Sequence, residues 1–329
     1  MFGNLCDVPG VLVGHATDPE ALTGCTAIIF EEPAVVGVDV RGSSPGTRET
    51  DRLGPHGTLR RTHAILLTGG SAFGLAAAEG VVRFLEENEV GLDIGVARIP
   101  LVSAAVLFDL VVGDPAVRPG PEMGYEAAAA AKSADFAQGS VGAGTGATVG
   151  KVLGLEGAMK GGVGSASVAL EGDLVVGALA AVNAFGHIRD PQTGRVIAGP
   201  RQEDGTLGDT VELLPEAVAR MGWGENTTLG IVATNAALSK RAANKIAQMA
   251  HDGLARAVEP VHTTVDGDVV FAASAGEVEA ATDIVGAWGA RAMQEAILHA
   301  VRVAKGVPGI PSLSEYEGRG NVIPGISPD

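Results

Sequence analysis

A threonine hydroxyl beside its own buried amide is a poor nucleophile, but a threonine that begins a chain carries a free α-amine able to serve as its general base. Asn226-Thr227-Thr228 offers that chemistry, standing before the apolar run Leu229-Gly230-Ile231-Val232-Ala233 and about forty positions ahead of Asp266-Gly267-Asp268. If the Asn226–Thr227 bond is cut, Thr227 gains an amine that titrates near pH ~8 in a model peptide, so a useful fraction of it is neutral at physiological pH. The same three residues also fit an ordinary turn before a strand, and the N-x-[ST] glycosylation pattern. The segment Met1-Phe2-Gly3-Asn4-Leu5-Cys6-Asp7 has no basic or apolar leader character, which sets glycosylation aside and predicts a cytoplasmic location.

Other catalytic patterns fail on their own chemistry. Gly42-Ser43-Ser44-Pro45-Gly46 matches G-x-S-x-G, yet the oxyanion N–H must come from the residue after the serine, and Pro45 has none. Gly142 to Lys151 is glycine-rich like a phosphate loop, but Thr145 stands where glycine is required and Val152 where Ser or Thr is required. A dinucleotide fingerprint is only partly met, by Gly142, Gly144 and Ala147, so this stretch reads as a structural glycine turn. The seven histidines form no H-x-x-x-H pair, and no metal or organic cofactor is implied.

The elements that must position these residues follow from periodicity. Val11–His15, Cys25–Phe30 and Ala34–Val40 read as short strands of a meander. His63–Thr68 leads through Gly69-Gly70 into a helix ending near Glu87, and a second helix is expected from about Pro121 to Ala134. Val163 to Gly186 reads as a hairpin turning at Glu171-Gly172-Asp173. Turn signals crowd residues 190–225, with a short helix over Val211–Met221, so this is where a chain can be cut without opening a core. Beyond it come a helix capped by Ser239, a strand at Val269–Ala273, a long helix over Thr282–Lys305 and an extended Gly/Pro-rich tail. Strands and helices in blocks predict an α/β fold of layered α+β type, with sheets packed on each other and helices outside.

With 46% hydrophobic residues in 329, the chain can bury a substantial core. A net charge of −16 argues against nucleic acid or an anionic membrane as partner. Two cysteines, Cys6 and Cys25, give neither a metal-ligand spacing nor a disulfide framework.

Taken together, Val38–Gly42 with Pro45–Asp51, Leu67–Leu75, Gly142–Lys151, Val182-Asn183, Asn226-Thr227-Thr228, Ala233-Thr234-Asn235 and Asp266-Gly267-Asp268 resemble the DmpA family of self-processing peptidases (peptidase family S58) over nearly the whole chain. The Asn-Thr-Thr junction and the Asp-Gly-Asp motif are most similar to its nylon-oligomer (6-aminohexanoate oligomer) hydrolase branch. The resemblance implies a single αββα sandwich like that of DmpA and ornithine acetyltransferase. It further implies scission into residues 1–226 and 227–329, and a homotetramer-like assembly. Carried over by position, Thr227 is the nucleophile and Asn226 the residue whose carbonyl is attacked. Lys151 would keep the Thr227 amine neutral, Asn183 would donate to an oxyanion, and Asp266 and Asp268 would orient Lys151 and Thr227. Members that cleave β-peptides carry a serine nucleophile and a tyrosine near Phe108-Asp109, which points this chain away from that activity. Ala76 and His187 stand where relatives often carry acidic residues.

The function implied is amide-bond hydrolysis of short peptides or 6-aminohexanoate oligomers. Alternatives are an L-aminopeptidase/D-amino-acid esterase, an acyltransferase of ornithine acetyltransferase type, and a glycine-rich small-molecule binding protein that never cleaves.

Overall fold

The computed structural model describes residues 3–217 and 226–318. Nine strands form its main sheet: β1 (Val11–Asp18), β2 (Thr23–Val40), β3 (Gly46–Arg48), β4 (Arg61–Thr68), β5 (Val102–Val106), β6 (Gly162–Ala169), β7 (Val175–Asn183), β8 (Thr227–Ala236) and β9 (Val269–Val278). Four helices flank them: α1 (Ala77–Glu87), α2 (Pro121–Ala129), α3 (Lys240–Ala257) and α4 (Thr282–Val303). The hydrogen-bonded path runs β6-β7-β8-β9-β2-β4-β5-β3, with β1 also paired to β2. This one ladder forms two layers because β2 changes partners along its length. Thr23–Phe30 pairs with β1, and much of that half with β4, whereas Val35–Val40 pairs with β9.

The layers can be read from alternate residues, since successive side chains of a strand point to opposite faces. Ile28, Ile65 and Leu67 from one layer meet Leu179, Leu229, Ile231 and Phe271 from the other in a central core. The intervening residues Ala27, Ile29 and Leu66 pack under α1 and α2. On the far side, Ala178, Ala180, Val232, Val270 and Ala272 share a core with Ile246, Leu254, Met293 and Ile297 of α3 and α4. The arrangement is therefore the expected αββα sandwich.

Several boundaries differ from expectation. The turn expected at Glu31-Glu32-Pro33 is instead an irregularity inside β2: Pro33 has no N–H to give, and the register against β4 shifts between Ile29 and Ala34. Two parallel pairs, β4/β5 and β8/β9, are helix crossovers set within the blocks. The second helix stops at Ala129, and the tail expected to be extended forms a short helix over Leu313–Gly318. Its Tyr316 donates to the carbonyl of Gly205 at 2.8 Å. The helix expected over Val211–Met221 is observed as Thr210–Ala217, and its remainder lies outside the described residues.

The glycine-rich stretch 142–151 is held from beneath by Lys160. This side chain is completely buried, and its Nζ donates to the carbonyls of Ala147 at 2.6 Å, Gly144 at 3.3 Å and Gly161 at 3.4 Å. Burying an ammonium costs several kcal/mol, ~20 in the idealised limit, and neutral carbonyls return only part of it. Burial accordingly lowers its pKa to about 7, with the Asp109 carboxylate opposing the shift.

Stability should respond. Between pH 7 and 9 the unfolded chain binds more protons at this lysine than the folded one, so Lys160 makes stability rise with pH. Above that window the thiol of Cys25, held protonated in the fold up to about 12 by burial, acts in the opposite sense. The urea midpoint of the wild type should rise more from pH 7 to 9 than that of Lys160→Met; an equal rise in the variant would contradict this linkage.

Candidate active site

The predicted residues converge where β7 ends and β8 begins. Asn183 and Thr227 are direct partners in the antiparallel register, a pairing that brings Cα atoms within about 4.5–5.5 Å. Both lie in phase with the residues that fill the central core, Leu179 and Ala181 on β7 and Leu229 and Ile231 on β8, so their side chains emerge at the end of the inter-sheet layer. Thr228 is out of phase and belongs to the helical side, where its buried hydroxyl has no hydrogen-bond partner among the described residues. Of the two adjacent threonines, only Thr227 thus faces the site.

The Thr227 hydroxyl donates to the carbonyl of Asn226, the group one bond upstream of its own nitrogen. That same carbonyl accepts the Gly267 N–H at 2.8 Å. A side chain at Gly267 would put its Cβ 2.7 Å from the Thr227 Oγ1 and 2.6 Å from the Ser44 carbonyl oxygen, so glycine is what allows the hydroxyl to sit there. The Arg41–Ser44 segment runs alongside. Its amides at Arg41 and Gly42 donate to the Asp268 carbonyl and that of Ser44 to the Asp266 carbonyl, fixing the Asp-Gly-Asp backbone from the other side.

Lys151 reaches the site from the glycine loop. Gly150 has φ of +69°, and a Cβ there would lie 2.4 Å from the backbone of Gly199, which requires glycine on both counts. The amides of Gly150 and Lys151 donate to the carbonyls of Gly186 and Phe185. Lys151 Nζ then donates to the Asn183 carbonyl at 3.0 Å and to its Oδ1 at 2.9 Å. Asn183 Oδ1 also accepts the Thr148 N–H at 3.0 Å, while its Nδ2 donates to the Phe108 carbonyl at 2.8 Å. Lys151 is therefore bound to the residue that pairs with Thr227 across the ladder.

The two aspartates are nearly fully buried and reach the strands through backbone amides. Asp266 Oδ1 accepts from the Phe185 N–H at 3.3 Å, and Asp268 Oδ1 from the Thr228 N–H at 2.6 Å. Their other oxygens are taken by a loop the sequence had not singled out. Thr263 donates to Asp266 Oδ2 through its amide at 3.0 Å and its hydroxyl at 2.5 Å, and His262 donates to Asp268 Oδ2 through its amide at 3.1 Å and lies against it through Nδ1 at 2.7 Å. Burial, and then the charge of Asp268, push the Asp266 carboxyl up to about 6 despite the bonds from Thr263 and Phe185. The only sign of this loop in the chain is its place just before the Asp-Gly-Asp motif; a His or Thr a few residues ahead of an Asp is too common to single out.

Among the described residues, one set could in principle hold a metal ion: His187, Asp209 and Glu259. Arg189 already balances it, at 2.8 Å from each of the two carboxylates, and His187 Nδ1 accepts the Thr210 amide at 3.0 Å. No helix among the described residues is long and apolar enough to cross a membrane.

The sequence matches the model of peptidase family S58 over residues 3–313. It is 40% identical over 345 aligned residues to an uncharacterised aminopeptidase of Mycobacterium tuberculosis, covering 94% of this chain and 97% of that one. A 6-aminohexanoate-oligomer endohydrolase of Kocuria sp. is 33% identical over 280 residues, covering 84% of this chain and 76% of the relative. The solved L-aminopeptidase D-Ala-esterase/amidase of Ochrobactrum anthropi, a variant of the N-terminal-nucleophile hydrolase fold, superposes with a TM-score of 0.74 over 97% of this chain and 94% of its own, at 19% identity. That last likeness concerns the fold.

The carboxylate pair gives a direct measurement. The Asp266 carboxyl carbon should titrate near pH 6 by ¹³C NMR, and in Asp268→Asn it should titrate lower, because the neighbouring negative charge is gone. An unchanged or higher midpoint in the variant would mean that the two carboxylates do not interact.

Proposed function

This chain belongs to peptidase family S58 and is a hydrolase, and we propose that it activates itself by cutting the Asn226–Thr227 bond and then hydrolyses amide bonds with Thr227 as an N-terminal nucleophile. The observation that carries this reading is the Thr227 hydroxyl resting on the Asn226 carbonyl, with the Gly267 N–H on the same oxygen.

In the processing step, Thr227 Oγ attacks the Asn226 carbonyl carbon, and the negative charge that develops on the carbonyl oxygen meets the Gly267 N–H. The C–N bond breaks as the hydroxyl proton passes to the departing nitrogen, leaving an ester on Thr227 Oγ. The α-amine is free from that point, and water hydrolyses the ester to release the Thr227 hydroxyl and the Asn226 carboxylate. In the mature enzyme the amine takes the hydroxyl proton as Thr227 attacks a substrate amide, and then returns it to the leaving amine. An acyl-enzyme forms and water releases the acid. The Lys151 ammonium, bonded to Asn183 across the ladder from Thr227, disfavours protonation of the amine, and the Asn183 amide lies on the same edge for the substrate oxyanion. No cofactor enters these steps.

The names of the relatives support short peptides or 6-aminohexanoate oligomers as substrates, with L-amino-acid amides and D-amino-acid esters as the alternative. For the assembly we propose a homotetramer. Its support is an outlying hairpin, Leu92–Asp93 against Arg98–Ile99, that leaves Leu92, Ile94, Val96 and Ile99 in water, with Val96 90% exposed.

Mass spectrometry tests both parts. Native spectra should give four copies, and denaturing spectra two fragments of roughly 23 and 10 kDa by share of length, the smaller beginning at Thr227. Thr227→Ala should remain one folded, inactive chain, whereas Thr228→Ala should still process, since its hydroxyl belongs to the other face. Scission blocked by the second variant and not by the first would move the nucleophile one residue along.

Lys151 is tested on material already cleaved. Removing a cation beside the amine raises the amine's pKa, so Lys151→Met should shift the rising limb of kcat/KM to higher pH, with any amide substrate. A limb that stays in place would remove Lys151 from the tuning of the base.

A further inference from the structure

We infer that His262 and Thr263 are positioning residues of this site: each grips one of the two aspartates through both its backbone amide and its side chain, and so sets where the ends of β7 and β8 meet. The inference rests on the N-terminal-nucleophile reading and deepens it.

The geometry is paired. Two consecutive loop residues each place an amide and a side chain on a single carboxylate oxygen, Thr263 on Asp266 Oδ2 and His262 on Asp268 Oδ2. In each carboxylate the other oxygen is bound to a strand-end amide, Phe185 beyond β7 and Thr228 at the start of β8. Each aspartate is thus a tie between the loop and one strand end. The first tie ends two residues past Asn183 and beside the carbonyl that anchors the Lys151 amide. The second ends one residue past Thr227. A slack tie on either side would shift the nucleophile or the Lys151–Asn183 pair, and misplacement by about an ångström is enough to cost orders of magnitude in rate.

The loop is built for this. His262 holds φ of +56°, a left-handed conformation that Gly, Asn, Asp and His adopt more readily than other residues, and it turns the next amide toward Asp266. Its ring is braced edge-on by His251 of α3, with centroids 4.7 Å apart, and His251 Nε2 lies 3.1 Å from the Asp39 carbonyl oxygen. Burial drives His251 down to about 4, so at neutral pH this brace packs against the His262 ring without carrying a charge of its own. Against the carboxylate oxygen of Asp268, Nδ1 of His262 is the ring nitrogen that donates.

Four variants of the full chain separate the side-chain grips from the backbone. His262→Gly keeps the positive φ and the amide but loses the ring, whereas His262→Asn tolerates the same φ and returns an N–H donor close to the place of Nδ1. Thr263→Val removes only the hydroxyl, and Thr263→Ser restores it. The readouts are the rate of conversion to two fragments, kcat/KM of the cleaved fraction on an L-amino-acid nitroanilide, and the ¹³C titration of Asp266.

His262→Gly and Thr263→Val should each slow scission by roughly tenfold or more while keeping a cooperative unfolding transition, as expected for loss of a hydrogen bond to a charged group. His262→Asn and Thr263→Ser should recover most of the rate. The Asp266 midpoint should rise above about 6 in Thr263→Val and return in Thr263→Ser, because the hydroxyl bond favours the carboxylate. If both deletion variants process at the wild-type rate, or if the rescuing variants are no faster than the deletions, the inference is overturned while the N-terminal-nucleophile reading stands. A wild-type chain that never cleaves overturns both. Should Thr263→Val fail to fold, the two His262 variants decide, since neither touches the backbone grip.

Discussion

Two carboxylates are withdrawn from water at one end of a sheet, and much of the surrounding chain is arranged to satisfy their oxygens. A buried anion without partners would cost several kcal/mol. Here each of Asp266 and Asp268 has one oxygen on a strand-end amide and one on the loop beside it. These bonds make the site rigid, because each is made by backbone that already belongs to a ladder or a constrained turn. The incomplete compensation at Asp266 remains visible as its raised pKa. A group poised near neutrality where a proton must be moved is a common signature of working sites.

The second dependence is on alternation. Thr227 and Thr228 have the same side chain and are neighbours in sequence, yet strand geometry sends one hydroxyl to the inter-sheet edge and the other toward the helices. A slip of one residue in the pairing of β8 with β7 would exchange them. The register is protected by Leu229, Ile231 and Ala233, whose burial in the central core would be lost by the same slip. The hydrophobic packing of the sandwich thus selects which threonine faces the site.

Much of this was legible in the chain, for identifiable reasons. Asn183 stood out as an amide ending an apolar strand, Thr227 by its junction, and the Asp-Gly-Asp motif by two acids at period two. The layered architecture followed from strands and helices occurring in blocks. The continuous course of β2 was hidden by Pro33, which normally ends a strand and here only shifts its register. The tail helix was hidden by its Gly/Pro-rich surroundings, since its order depends on tertiary contacts such as the bond from Tyr316 to Gly205. His262 and Thr263 were hidden for another reason: their value lies in how a loop folds back on the acids, which residue type and spacing do not encode.

If the bond before Thr227 is cut, as proposed, the strand order also decides the fate of the molecule. β8 and β9 both lie downstream of that bond, yet in the sheet they are flanked by β7 on one side and β2 on the other, both from upstream. The smaller piece is therefore interleaved with the larger, and separating them means pulling two central strands out of a ladder. Nicking leaves the native state nearly as hard to dismantle as before but changes the outcome after it is lost. An unbroken chain carries its missing strands at a high effective concentration and can refold alone. Two fragments must first find each other in solution, so recovery becomes second order, and a molecule once unfolded at low concentration is in practice spent.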